Sequence, residues 1–252
     1  QRQMCIRDRF AKYLVGTGKS AYIIPGGIPR KQIRYDAHIF TEEELKAFFA
    51  SIDACKKSPF SPLRCYVIPV IFRLIYTCGL RASEARLLRT NDINLSTGKI
   101  FIRESKGWEA RIVFVSDDML DLLCRYDRII RDTYPDRTAF FPNQSGDYYS
   151  KSTLDEWFHE FWDQLPEAAV TKGNPPRVHD FRHTYCVYRL NQWVREHADL
   201  NALYPYLSEF MGHSNFADTD YYLTLAEPFY SEFESRMHSV NASILPEVPH
   251  ED

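Results

Sequence analysis

The chain has 252 residues, 44% of them hydrophobic and 15% aromatic, with a formal net charge of -3; this is enough apolar material for one large domain, or one domain plus a remnant, around a full core. No run reaches the ~18 apolar residues of a membrane span, and the start Gln1-Arg2-Gln3-Met4-Cys5 lacks the apolar core of a signal peptide, so a cytoplasmic location is expected. The six cysteines stand far apart with no C-x-x-C pair, which argues against a disulfide framework or a cysteine zinc site.

The charge is uneven. Residues 1–40 carry eight Lys or Arg against Asp8 and Asp36, which leaves the rest of the chain net acidic by nine, so nucleic-acid contacts there must come from a local patch. Phe10 to Val15 reads as the last turns of an amphipathic helix halted by Gly16 and Gly18. Ile23 to Lys31 is expected to be a linker, because two prolines and two glycines in close succession cannot continue helix or strand. Its basic residues Arg30 and Lys31, with Arg34 just beyond, suit a strap across phosphates and suit a solvated linker equally well.

A compact domain is expected to begin near Phe40, where Thr41 and Glu44 have the spacing of a capping box. Ser61-Pro62 predicts the start of the next helix, and Val67 to Tyr76 is apolar nearly all round, which makes that helix central, with Pro69 as its candidate bend. Gly79 ends it. Leu80 to Ala85 then opens a further helix with Arg81 at its entrance, where free backbone N–H groups also favour anions. Short strands are predicted at Asp92 to Leu95, Lys99 to Arg103 and Ala110 to Val115, with Ser96-Thr97-Gly98 as the first turn. The second turn lifts Lys106 to a hairpin tip, a place where a lysine is usually just solvated but from which a flexible ammonium can reach into a groove.

From Ser116 onward the pattern is helical, first to about Asp132. Leu154, Trp157, Phe158, Phe161, Trp162 and Leu165 then form a stripe that reads as core rather than a cofactor box. The fold class is therefore mainly α with a small antiparallel β-sheet.

The stretch Val178 to Thr184 packs two imidazoles and a guanidinium into a short span. In a helix starting near Val178, His179, Arg182 and Cys186 share a face that can meet one anionic group. A permanently charged fork beside a tunable imidazole suits a phosphate under attack. Leu203 to Phe210 predicts a helix that stops at Met211-Gly212-His213-Ser214, with Gly212 as the helix end and His213 projecting from the turn. Tyr222 follows nine residues later; alone, it would be read as a packed tyrosine. A last helix is predicted from Pro228 to about Val240, followed by a frayed acidic tail over 241–252. A rival reading takes His179 and His183 as a metal pair at i and i+4, the core of a metal-dependent hydrolase. It puts a cation, Arg182, beside the metal and gives Arg81 and Tyr222 no task.

Taken together, Gly79-Leu80-Arg81-x-x-Glu84, the hairpin Lys106, His179-x-x-Arg182, Gly212-His213 and the late Tyr222 resemble the catalytic domain of the tyrosine recombinases, the phage-integrase family. The resemblance covers about residues 36–240. It implies that residues 1–35 are a remnant of an upstream core-binding domain plus a basic linker. It further implies that Tyr222 attacks a DNA phosphodiester, leaving a 3′-phosphotyrosyl link and a free 5′-hydroxyl, with His179 as the base. Arg81, Arg182 and His213 would hold the phosphate in place of a metal, Lys106 would protonate the departing 5′-oxygen, and Glu84 would orient Arg81. Arg30, Lys31, Arg34, Arg103, Arg111 and Arg177 are the candidate DNA contacts. The implied partner is a double-stranded recombination site on which four protomers assemble, with residues 228–240 docking on a neighbour and no cofactor required. The alternative within the same fold is a catalytically silent or truncated DNA-binding remnant.

Overall fold

The computed structural model describes residues 2–23, 36–59, 61–103, 110–170, 175–213 and 217–223. It has two compact units, Gln1–Tyr35 and Asp36–Asp252. The first holds helix α1 (Arg2–Gly16), which ends as expected where Gly18 turns the chain at φ 78°. The basic linker residues Arg30, Lys31 and Arg34, the hairpin tip with Lys106, the helix predicted over 228–240 and the tail lie outside the described residues.

In the second unit, α2 (Glu42–Asp53) opens with the predicted capping box: Thr41 Oγ1 accepts from Glu44 N at 3.2 Å, and Glu44 Oε2 accepts from Thr41 N at 2.7 Å. The central helix α3 (Arg64–Thr77) buries Val67, Ile68, Val70, Ile71, Phe72, Leu74 and Ile75 and packs on α2 and on later helices. It starts at Arg64 rather than at Ser61-Pro62. Ser61 O accepts from Arg64 N at 3.2 Å, a three-residue turn, and the helical ladder begins only when Val67 N reaches Leu63 O at 3.1 Å.

After α4 (Ala82–Arg86), β1 (Ile93–Asn94), β2 (Lys99–Ile102) and β3 (Arg111–Phe114) form an antiparallel sheet in that order, with Ile100 opposite Val113 and Ile102 opposite Arg111. Each strand is shorter than predicted. Then come α5 (Asp117–Thr133), α6 (Lys151–Trp162), α7 (Pro166–Val170), α8 (Val178–Arg195), α9 (Leu200–Met211) and α10 (Ala217–Leu223). The α6 stripe is core as expected, with Leu154, Trp157, Phe158 and Trp162 buried.

What positions α8 is an aromatic cluster around Phe181. Its fully buried ring stacks on Phe40 at 4.6 Å and lies 5.2 Å from Phe48, 5.7 Å from Phe158 and 6.1 Å from Phe72. Thr184 adds a polar tie: its hydroxyl accepts from Phe40 N at 3.0 Å and donates to Asp180 O at 2.8 Å. A smaller apolar cluster, with Cys186, Leu190, Leu207, Met211 and Tyr222, joins α8, α9 and α10. Cys55, Cys65, Cys78, Cys124 and Cys186 are all unbridged. Among the described residues no helix is long and apolar enough to cross a membrane.

Candidate active site

Arg81 is held at the entrance of α4. The preceding Gly79 is left-handed at φ 57°, and a Cβ there would lie 2.8 Å from Tyr185 Cδ1 and 2.9 Å from Met211 Sδ, so only glycine fits. Glu84 Oε2 accepts from Arg81 N at 2.9 Å and Glu84 Oε1 from Arg81 Nη1 at 2.8 Å, while Arg81 Nη2 donates to Gly212 O at 2.9 Å. Thus the predicted orienting contact between Glu84 and Arg81 is a direct ion pair.

At the start of α8, Asp180 Oδ2 accepts from Arg177 N at 2.9 Å and satisfies one of the free N–H groups of the helix end. Arg182 is 1% exposed. Its Nη1 donates to Gly79 O at 2.6 Å and its Nη2 to Met211 O. Burial and the nearby Arg81 pull its pKa down to about 10, which still leaves it charged at neutral pH. Arg182 therefore donates into both turns that flank the site, Gly79 and Met211-Gly212, and Arg81 into the second of them.

The third segment is the end of α9. Gly212 is left-handed at φ 63°, ψ 53°, and its successor's N–H returns to Ser208 O at 3.0 Å, closing the helix. This turn presents His213, whose Nδ1 lies 2.6 Å from Thr219 Oγ1; Thr219 in turn donates to Ser208 Oγ at 3.1 Å. Thr219 sits on α10, three residues before Tyr222, so the same short helix anchors the imidazole and carries the phenol. The His213 ring is stacked on Tyr222 at 5.8 Å and 11°.

Tyr222 is 3% exposed. Burial pushes its pKa up to about 12 against the opposing pull of Arg182. His183 also lies beside it, with ring centroids 5.4 Å apart, and His183 in turn meets His179 at 4.8 Å. Burial first, and then the arginine charges, hold His179 down at about 4 and His213 at about 3; for His183, burial and then His179 bring it to about 3. The result is a buried phenol flanked by neutral imidazoles beside two guanidinium groups, an arrangement suited to binding an anion and accepting a proton.

Sequence reasoning assigned His183 only to the metal reading and passed over Thr219 and Ser208. Thr219 could have been found from its i, i+3 spacing to Tyr222. Among the described residues no group of three or more His, Cys, Asp or Glu could hold a metal ion, so the His179–His183 pair lacks further ligands there.

The candidate DNA contacts divide. Arg177 is half exposed beside the site at the start of α8. Arg103 is half exposed, and Asp92 accepts from its Nε at 3.0 Å and its Nη2 at 2.5 Å. Arg111 is a correction: it is 6% exposed and its guanidinium is bound to Glu84 and to the end of α9, so it cannot reach DNA. It was misread because a basic residue on a strand is expected to face out. In β3 the alternation is inverted, with Arg111 and Val113 inside and Ile112 and Phe114 outside.

The family model described as "Phage integrase family" matches residues 38–227. The chain is 32% identical over 220 residues to the integrase/recombinase y4rE of Sinorhizobium fredii, covering 86% of this chain and 69% of that one. It is 26% identical over 173 residues to the tyrosine recombinase XerD of Pseudomonas putida, covering 67% and 53%. Among solved structures it resembles XerA recombinase (TM-score 0.60, 17% identity, 98% and 77% covered) and XerH site-specific recombinase bound to its difH substrate (TM-score 0.62, 22% identity, 86% and 60% covered). These structural likenesses carry the fold, and the family match spans every described residue of the site. The chain belongs to the phage integrase family.

Proposed function

We propose that this chain is a site-specific DNA recombinase that cleaves and rejoins DNA through a 3′-phosphotyrosyl intermediate on Tyr222. The observation that carries the reading is the convergence of Arg81, Arg182 and His213, from three distant segments, around one buried tyrosine. The Tyr222 oxygen forms a bond to phosphorus as its proton passes to the neutral imidazoles, with His179 as the final base. The bond from phosphorus to the 5′-oxygen breaks, and Lys106 supplies the proton that oxygen needs. Arg81 and Arg182 exchange their backbone carbonyl partners for the non-bridging oxygens, where charge develops in the transition state. The imidazoles, depressed first by burial and then by neighbouring positive charge, regain part of their basicity when the phosphate brings its negative charge. Because the tyrosyl ester retains the energy of the broken bond, a 5′-hydroxyl from another strand reverses the step without ATP. Four protomers on two DNA sites belong to the same proposal.

The test is covalent capture from a pool of nicked duplexes of random sequence. The wild-type chain should form an SDS-resistant adduct in the presence of EDTA; Tyr222→Phe should abolish it and Tyr221→Phe should keep it. The reverse pattern for the two tyrosines would sink the assignment. Tyr221 has a separate task, since its hydroxyl accepts from Ala37 N at 3.1 Å.

A further inference from the structure

Beneath the phosphate-facing side of the site lies an ion cluster that the proposed reaction does not use. Arg111, on β3, has a side chain 4% exposed, and Glu84 is 2% exposed. Glu84 Oε1 accepts from Arg111 Nη1 at 2.8 Å and Oε2 from Arg111 Nη2 at 2.9 Å, a fork-to-fork pair. The third guanidinium donor, Nε, reaches Phe210 O at 2.7 Å, in the last turn of α9. The same carboxylate carries Arg81 on both oxygens. The Arg111 fork also lies under Gly212, where a Cβ would stand 2.8 Å from Nη1, so the turn that presents His213 rests directly on this arginine.

Without Arg111, the Arg81–Glu84 pair would keep its bond to Gly212 O but lose its ties to β3 and to Phe210 O. With it, the sheet, the α4 entrance and the end of α9 share one junction. A lysine has no fork and could not make the three bonds together. We propose that Arg111 is a positioning residue: it clamps Glu84 from beneath and the last turn of α9 from the side, so that Arg81 and His213 meet one phosphate at a fixed spacing. This rests on the reading of Arg81 and His213 as phosphate ligands.

A merely structural ion cluster would lower stability and leave the pH profile of the folded protein alone. Here Glu84 predicts otherwise. Burial on its own would raise its carboxyl, and Arg111 first, then Arg81, hold it down at about 2. In Arg111→Gln that support is lost, Glu84 takes a proton more readily, and its grip on Arg81 weakens in acid.

The experiment compares single-turnover adduct formation by wild type, Arg111→Gln and Arg111→Lys at matched folded fraction. Arg111→Gln should slow the step ~10-fold or more with DNA affinity and salt dependence unchanged. Its rate should fall further as pH drops toward the ordinary carboxylate value of 4.5, where the wild type, with Glu84 held at about 2, shows no Glu84-dependent loss. Arg111→Lys should recover part of the rate and remove the acid limb. Adding Arg111→Gln to Glu84→Gln should cost less than Arg111→Gln costs the wild type, because the Glu84 arm of the clamp is then already gone and only the α9 arm remains to be lost. A pH-independent loss, or losses that multiply, would reduce Arg111 to a structural role, and a weaker salt dependence would make it a DNA contact. If wild type forms no adduct, the recombinase reading fails separately. The clamp is then read by NMR without DNA, where Arg111→Lys should shift the Arg81 Nε and His213 ring signals; unshifted signals would overturn it.

Discussion

His179, His183 and His213 form a ring-to-ring series with Tyr222, and burial beside Arg182 keeps all three neutral. Their folded pKa values of about 4, 3 and 3 lie below the ordinary 6.5, so the unfolded chain binds more protons than the folded one. The stability they contribute is therefore complete above pH 6.5 and is lost as pH falls toward their folded values. Urea unfolding between pH 7.5 and 5 should show a slope of at least one proton, ~1.4 kcal/mol per pH unit, and His183→Gln should flatten it. A flat wild-type curve would contradict the burial that holds these imidazoles neutral. At this scale the sequence was most legible where residue type dictates chemistry. Arg81, His179, Arg182, His213 and Tyr222 were singled out by the resemblance to the tyrosine recombinases, Tyr222 by that alone, and the structure brings them together. Which polar atoms face one another was not legible: the Thr219–His213 and Arg111–Glu84 contacts join residues 6 and 27 positions apart through turns whose geometry only the fold supplies.

Helix α8 carries the site on one side and its anchor on the other. Phe181 lies between His179 and Arg182 in sequence, but a step of 100° per residue turns it into the aromatic cluster. Phe181→Ala should cost about 3–5 kcal/mol. For a chain of this size that should lower the melting temperature by about 10 °C, read by scanning calorimetry. A loss below ~1 kcal/mol would mean that the helix is held elsewhere. The elements most readable in the sequence were those with local signals, such as the α2 capping box and the Gly212 stop. The α3 start misled because Pro62 is an acceptable first helical residue, yet the chain made a tighter turn there. Strand β3 misled for a tertiary reason, since a buried carboxylate partner overrode the alternation that would have turned Ile112 and Phe114 inward.

On the scale of the whole molecule, the charge is concentrated at the N-terminal end while most of the chain is acidic. If Arg30, Lys31 and Arg34 track the DNA backbone, changing all three to Ala should reduce the slope of log K against log salt by roughly 2–3, without altering sequence preference. Filter binding over a salt series on several duplexes measures both; an unchanged slope would make the segment a plain linker. The placement of Tyr222 on α10, after every other residue assigned to the reaction, has a consequence for the living cell. Synthesis runs from the N-terminus, so a nascent chain acquires its phosphate-binding groups before it acquires a nucleophile. A product cut short ahead of α10 would hold Arg81, Arg182 and His213 yet have no means of breaking a strand. Made alongside the complete protein, such a fragment would act as a dominant inhibitor, competing for sites it could never open.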